Sequence, residues 1–117
     1  MHEMALAEGV LQLIEDAARR EKAARVRLVV IEIGQLSAVE PEALRFCFAA
    51  VAEGSVAQEA VLQIVEVPGA GWCAACAATV AMAQLYSACP RCGQHRLQPT
   101  DGTQMRVREI EIVASTH

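Results

Sequence analysis

The sequence of 117 residues is long enough for one compact domain, and its 54% apolar and 21% charged residues exclude an intrinsically disordered chain. The formal net charge of −4 and the single lysine, Lys22, argue against binding to a nucleic-acid backbone, which depends on clustered basic side chains. No apolar run approaches the ~20 residues of a membrane-spanning helix, and the acidic N-terminus does not resemble a signal peptide, so we expect a cytoplasmic protein that binds no membrane.

An amphipathic helix is predicted from Met4 to about Glu21. Its apolar residues recur at helical spacing and form one stripe: Leu6, Val10, Leu13, Ile14 and Ala17. Acidic residues stand four positions before basic ones along the same segment, in the order that stabilises a helix.

A largely buried strand follows from Val26 to Ile33, because apolar β-branched residues occupy both of its faces. A second helix is predicted to begin at Pro41 and to end near Gly54. Its inner stripe consists of Leu44, Cys47, Phe48 and Val51. Cys47 is a metal ligand, a reactive thiol or an apolar core residue, and its place in this stripe favours the last interpretation.

Two further strands are predicted, one from Ala60 to Val67 and one from Met105 to Val113. A strand, a helix and a strand in succession indicate a right-handed crossover and a parallel pair. We therefore predict an α+β fold in which two helices pack on a three-stranded mixed sheet. A segment that contains four cysteines lies between the second and third strands and is predicted to form a separate subdomain, so the predicted domains are 1–69 with 101–117, and 70–100.

The strongest motif is a pair of Cys-x-x-Cys sequences, Cys73 with Cys76 and Cys89 with Cys92. Two such pairs present four sulfurs to one point, as a tetrahedral zinc site requires, whereas a single pair is equally typical of a redox protein. Four thiolates leave no open coordination position, so this zinc is expected to be structural. Ala77 stands where a glycine would turn the first knuckle more easily.

No enzyme is predicted, because the sequence contains no recognisable nucleophile motif and no His-Glu-x-x-His. His95 and His117 are interpreted as exposed, although His95 is close enough in sequence to Cys92 to influence the zinc. His2 can chelate a metal through its imidazole, its own amide nitrogen and the amine of Met1. The amide of Glu3 can supply a fourth nitrogen, and tetragonal nitrogen sets of this kind suit Ni(II) or Cu(II). The Glu3 carboxylate is close enough to add an axial oxygen. The competing interpretation of His2 is a frayed polar terminus.

Several of these motifs occur together in one known family. They are Met1 to Glu3 at the start, the run from Gly34 to Phe46, the strand before the ribbon, the paired Cys-x-x-Cys and the strand that begins at Met105. On these motifs the chain resembles, over nearly its whole length, the HypA/HybF family of hydrogenase-maturation nickel metallochaperones. The resemblance implies Ni(II) bound transiently at His2, with help from the adjacent backbone and Glu3, and structural Zn(II) at the four cysteines.

The resemblance also implies that the chain delivers nickel to the large subunit of a [NiFe]-hydrogenase together with the GTPase HypB, as a monomer or a homodimer. Some members also serve urease maturation. Glu40 matches an acidic position that is proposed to approach the nickel in this family, although it also stands where the second helix begins. The alternative function is a zinc-ribbon module that binds a protein or nucleic acid without delivering nickel. The negative charge, the single lysine and the lack of aromatic residues expected to be exposed argue against it.

Overall fold

The computed structural model describes residues 2–114, so the predicted roles of Met1 and His117 lie outside the described residues. This part of the chain contains two helices and six strands: α1 (Glu3–Arg20), β1 (Ala23–Gly34), α2 (Pro41–Ala52), β2 (Val61–Val67), β3 (Ala70–Cys73), β4 (Ala78–Ala81), β5 (Leu97–Asp101) and β6 (Met105–Ala114). No helix among these residues is both long and apolar enough to span a membrane.

The long strands form a three-stranded sheet in the order β2-β1-β6. The strands β1 and β6 are antiparallel. The N–H of Gly34 donates to the carbonyl of Gln104 at 2.9 Å, and Glu32, two residues before Gly34, forms an ion pair with Arg106, two residues after Gln104. The sheet is mixed, so its other pair, β1 with β2, is the parallel one that the crossover predicts. The α+β fold with two helices and a mixed sheet is therefore confirmed.

The described residues divide into two compact units. The first contains residues 2–31, 39–64 and 107–114, and the second contains Glu32–Ala38 and Val65–Arg106. The domain boundaries expected from the sequence, 1–69 with 101–117 and 70–100, stay a prediction.

The first unit is built on the packing of α1 against α2. At about 100° per residue, the buried side chains of α1 fall within an arc of about 80°: Glu3, Ala7, Val10, Ile14 and Ala18. Leu13 lies about 60° outside that arc on the same geometry and is 55% exposed, so its predicted place in the inner stripe is wrong. The buried residues of α2 are Leu44, Phe48 and Ala52, whereas Cys47 is only half-buried.

The second unit contains a smaller antiparallel sheet in the order β4-β3-β5, inserted in the sequence between β2 and β6. Cys73 and Val80 are buried on one face of this sheet. Together with Cys89 they form an apolar cluster, and Cys76 and Leu97 pack beside it. Trp72 lies on the other face and is 42% exposed.

A close backbone crossing in the second unit depends on glycine. A Cβ atom on Gly34 would lie 2.2 Å from the carbonyl carbon and oxygen of Gly102, and one on Gly102 would lie 2.7 Å from the carbonyl oxygen of Pro68. Gly102 also has a φ of +73°, which other residues rarely adopt. The N–H of Leu36 donates to the carbonyl of Gly102 at 2.7 Å, so the crossing segments are also hydrogen-bonded.

Two glycine-to-alanine substitutions compare this crossing with a position where the added methyl group has no close neighbour. Gly34→Ala is expected to lower the free energy of unfolding by about 2–3 kcal/mol, because the added methyl group meets backbone that cannot rotate away. Gly9→Ala, in α1, is expected to raise it by up to about 1 kcal/mol, because nothing lies within 4 Å of the added Cβ and alanine is the better helix former. Urea unfolding of both zinc-loaded variants measures these changes in the free energy of unfolding. Equal changes in the two variants would contradict the close backbone contact at Gly34.

Candidate metal centres

The four sulfurs of the two Cys-x-x-Cys pairs lie within 4.8 Å of one another. The Sγ atoms of Cys73 and Cys92 are 3.6 Å apart, and those of Cys76 and Cys89 are 3.9 Å apart. A regular tetrahedron with zinc–sulfur bonds of about 2.3 Å has edges of about 3.8 Å, which falls between the two separations. All four cysteines are free thiols. The structure thus brings together the four predicted ligands in an arrangement that fits zinc.

The first knuckle follows β3 and closes at Ala77. The N–H of Ala77 donates to the carbonyl of Ala74 at 3.3 Å, and Ala77 has a φ of +50°. This left-handed conformation is unfavourable for a residue with a Cβ and accessible to glycine. The expectation that a glycine would turn more easily here is confirmed.

The second knuckle has the glycine that the first one lacks. Gly93 has a φ of +77°, and its N–H donates to the carbonyl of Cys89 at 2.8 Å. The N–H of Cys89 donates in turn to the carbonyl of Gln94 at 2.7 Å, and the N–H of Arg91 points at the Cys89 sulfur at 3.4 Å. These hydrogen bonds position Cys89 and stabilise negative charge on its sulfur.

The thiols differ in acidity. Contact with the Cys92 thiol, followed by burial and the thiols of Cys73 and Cys89, raises the pKa of Cys76 to about 12. Burial acts in the same direction on Cys89, but the backbone N–H groups of Cys92 and Arg91 and the neighbouring thiols outweigh it and lower the pKa of Cys89 to about 7. Because metals bind thiolates, we expect Cys89 to offer the first ligand near neutral pH, whereas Cys76 releases its proton to solvent only when the cation binds.

The remaining cysteine and the nearest histidine do not join this cluster. Within residues 2–114 the group of potential metal ligands consists of the four cysteines alone. Cys47 belongs to α2 in the first unit, and His95 is exposed in the loop before β5. The interpretation of His95 as an exposed loop residue therefore agrees with its position.

The second candidate centre is at the start of α1. His2 is exposed and occupies the N-cap position of α1, where its side chain caps nothing. Glu3, the next residue, is 8% exposed, and its Oε2 accepts a hydrogen bond from the N–H of Glu40 at 3.1 Å. Glu40 is the N-cap residue of α2, as its sequence position suggests. The structure thus joins Glu3 to Glu40, a contact that no sequence motif indicated.

Comparisons with known proteins agree on one family. The family model described as "Hydrogenase/urease nickel incorporation, metallochaperone, hypA" matches residues 1–112. The hydrogenase maturation factor HypA of Dechloromonas aromatica is 70% identical over 112 residues, which cover 96% of this chain and 99% of that protein, and that of Azotobacter vinelandii is 54% identical with the same coverage. The solution structure of the Ni metallochaperone HypA from Helicobacter pylori aligns with a TM-score of 0.70 at 28% identity, covering 98% of this chain and 100% of that one.

The strained knuckle generates a prediction for metal retention. Ala77→Gly is expected to stabilise the zinc-bound ribbon by about 1 kcal/mol, because glycine adopts the observed φ without the Cβ penalty. Competition with a zinc chelator should show about fivefold slower or weaker extraction. The matched control is Ala75→Gly, two residues earlier in the same exposed turn and outside the positive-φ region, which should show no gain. A similar gain in both variants would mean that flexibility, and not the φ of Ala77, is responsible.

Proposed function

The chain belongs to the HypA family of hydrogenase and urease nickel-incorporation metallochaperones, and on that basis we propose that it binds Ni(II) at its N-terminus and delivers it to the large subunit of a [NiFe]-hydrogenase. It is a metallochaperone, not an enzyme. The observation that carries the proposal is the exposed His2 at the beginning of α1 in a chain that matches this family from its first residue.

The proposed nickel ligands are nitrogen atoms of the first three residues. The His2 imidazole and the His2 amide nitrogen close a six-membered chelate ring, and the amine of Met1 and the amide nitrogen of Glu3 complete a tetragonal set. The position of His2 as the N-cap supports this set, because the first N–H groups of a helix do not take part in its hydrogen-bond ladder. Metal binding at these nitrogens therefore leaves α1 intact.

Zn(II) at Cys73, Cys76, Cys89 and Cys92 is proposed to be structural. Cys73 and Cys89 are each 2% exposed, and the four sulfurs together would close a tetrahedral coordination sphere. Beyond the cysteines, the apolar cluster around the sulfurs contains Val80 and the half-buried Leu97, and Met82 is buried beside Gly71 in the same segment. A core of this size supplies little folding free energy, so ligation of zinc is expected to supply most of it.

Delivery of nickel requires partner proteins. The proposed partners are the GTPase HypB and the hydrogenase large subunit, with urease maturation as a further destination. The names of the curated relatives, which are hydrogenase maturation factors, support the first destination. A cytoplasmic location fits a thiolate metal site, because thiols stay reduced there.

An interaction module that uses its zinc ribbon is the second candidate function, and one observation favours it. Trp72 and Tyr86 are 42% and 88% exposed, whereas the sequence suggested few accessible aromatic side chains. The charged residues between positions 67 and 100 are Arg91 and Arg96 only. A gel-shift assay at low salt with single-stranded and duplex nucleic acid tests this function directly.

Calorimetric nickel titration of three zinc-loaded forms tests the proposed nickel site. The native chain is expected to bind one nickel ion per chain, and His2→Ala is expected to lose most of the affinity because the imidazole is removed. A form with a few residues added before Met1 should also lose it, since the free amine is displaced from the chelate. Equal binding by all three forms would place nickel elsewhere in the chain.

Nickel affinity is expected to fall as the pH is lowered from about 7.5 to about 6, because metal binding releases protons from its nitrogen ligands and a higher proton concentration opposes that release. The same titration at several pH values measures the change. Zinc content, determined at each pH, is the control that separates protonation of the nickel ligands from loss of the ribbon. A nickel affinity independent of pH would contradict the nitrogen ligand set.

A further inference from the structure

Glu3 has an environment unlike that of the other charged residues. Among residues 2–114 it is the one charged side chain that is buried, whereas its neighbour His2 is exposed. A buried carboxylate is costly unless hydrogen bonds compensate for its lost hydration. Here the N–H of Glu40 donates to Glu3 Oε2 at 3.1 Å, across 37 positions of sequence.

The N-terminus of α2 explains why a carboxylate is needed at this point. The N-cap residue Glu40 accepts a hydrogen bond through its Oε2 from the N–H of Ala43 at 2.8 Å. In a capping box the third residue of the helix returns a Glu or Gln side chain to the N-cap N–H. Ala43 occupies that third position and has no such group. Glu3 of α1 supplies it, so the capping box is completed by two separate segments of the chain.

We propose that Glu3 is a positioning residue of the nickel site. Its carboxylate holds the first turn of α1 against the N-terminus of α2 and is not itself a nickel ligand. This inference rests on the proposed function for its nickel part only. The hydrogen bond to Glu40 orients the Glu3 side chain inward, while His2, one residue earlier, stays exposed with its imidazole accessible. Moving Oε2 of Glu3 to a metal would leave the N-cap N–H of Glu40 without its acceptor.

The positioning role reduces the conformational freedom that nickel binding must remove. A terminal chelate on a loose chain has to order several backbone bonds on binding, and a tether at Glu3 orders them in advance. Loss of the tether should therefore weaken nickel binding even though every ligand nitrogen remains.

Four variants, each zinc-loaded, separate the roles of Glu3. Glu3→Gln keeps an oxygen acceptor at nearly the same place, so nickel affinity is expected within about threefold of the native value and the nickel absorption spectrum unchanged. Glu3→Ala removes the acceptor, and nickel affinity should fall about tenfold or more while the Glu40 amide exchanges faster with solvent. Glu8→Gln, an exposed residue of the same helix, is the matched control for the loss of one negative charge and should behave like the native chain.

The fourth variant distinguishes positioning of the nickel site from stabilisation of α2. Adding Ala43→Glu to Glu3→Ala restores a capping box within α2 alone. Protection of the Glu40 amide and unfolding stability should recover, whereas nickel affinity should stay low because α1 is no longer tethered. Recovery of nickel affinity would assign Glu3 a purely structural role and overturn the inference.

Two other outcomes would also overturn it. Equal loss of nickel affinity in Glu3→Gln and Glu3→Ala, with a changed spectrum and a protected Glu40 amide, would identify the carboxylate as a ligand. Unchanged Glu40 exchange in Glu3→Ala would show that the hydrogen bond positions nothing. Failure of the proposed function itself has a different signature, since the native chain would then bind no nickel while the exchange rates still report on the Glu3–Glu40 contact.

Discussion

The second unit depends on one constraint, that four sulfurs reach positions within 4.8 Å of one another. Few apolar side chains are available to enforce this, and two of the buried residues at its centre are themselves cysteines, Cys73 and Cys89. Cys73 is positioned by the antiparallel pairing of β3 with β4 and β5. The other three cysteines are positioned by the hydrogen-bonded turns of the two Cys-x-x-Cys knuckles. A cation that filled the tetrahedron would remove the cost of crowding four ionisable groups.

The two candidate centres are built in opposite ways, and the difference fits their proposed roles. The cysteine cluster is partly buried and closed by four side chains that come from two distant knuckles. The centre at His2 is exposed, and most of its proposed ligand atoms belong to the backbone of consecutive residues. A closed site of the first kind retains its ion. An open site whose nitrogens regain protons permits transfer, which is what a carrier of metal ions requires.

Local patterns predicted most of what the structure contains. The spacing of Cys73, Cys76, Cys89 and Cys92 predicted their convergence because a Cys-x-x-Cys knuckle is determined by a few adjacent residues. The left-handed conformation of Ala77 was predictable for the same reason. The exposure of Leu13 was not predictable, because helical periodicity limits the buried side of α1 without saying how far α2 covers it. Likewise, nothing in the sequence indicated that Trp72 would lie on the uncovered face of its sheet.

The contact between Glu3 and Glu40 illustrates why such features escape sequence analysis and why they matter. A capping box is recognisable only when both of its side chains lie within four residues, and here alanine at position 43 breaks the pattern. The missing carboxylate is supplied by Glu3 of the other helix. A glutamate beside a metal-binding histidine is naturally interpreted as a ligand. Its hydrogen bond from the N–H of Glu40 gives one carboxylate oxygen a partner within the protein. That contact is the basis for proposing that Glu3 positions the site while nitrogen atoms bind the metal.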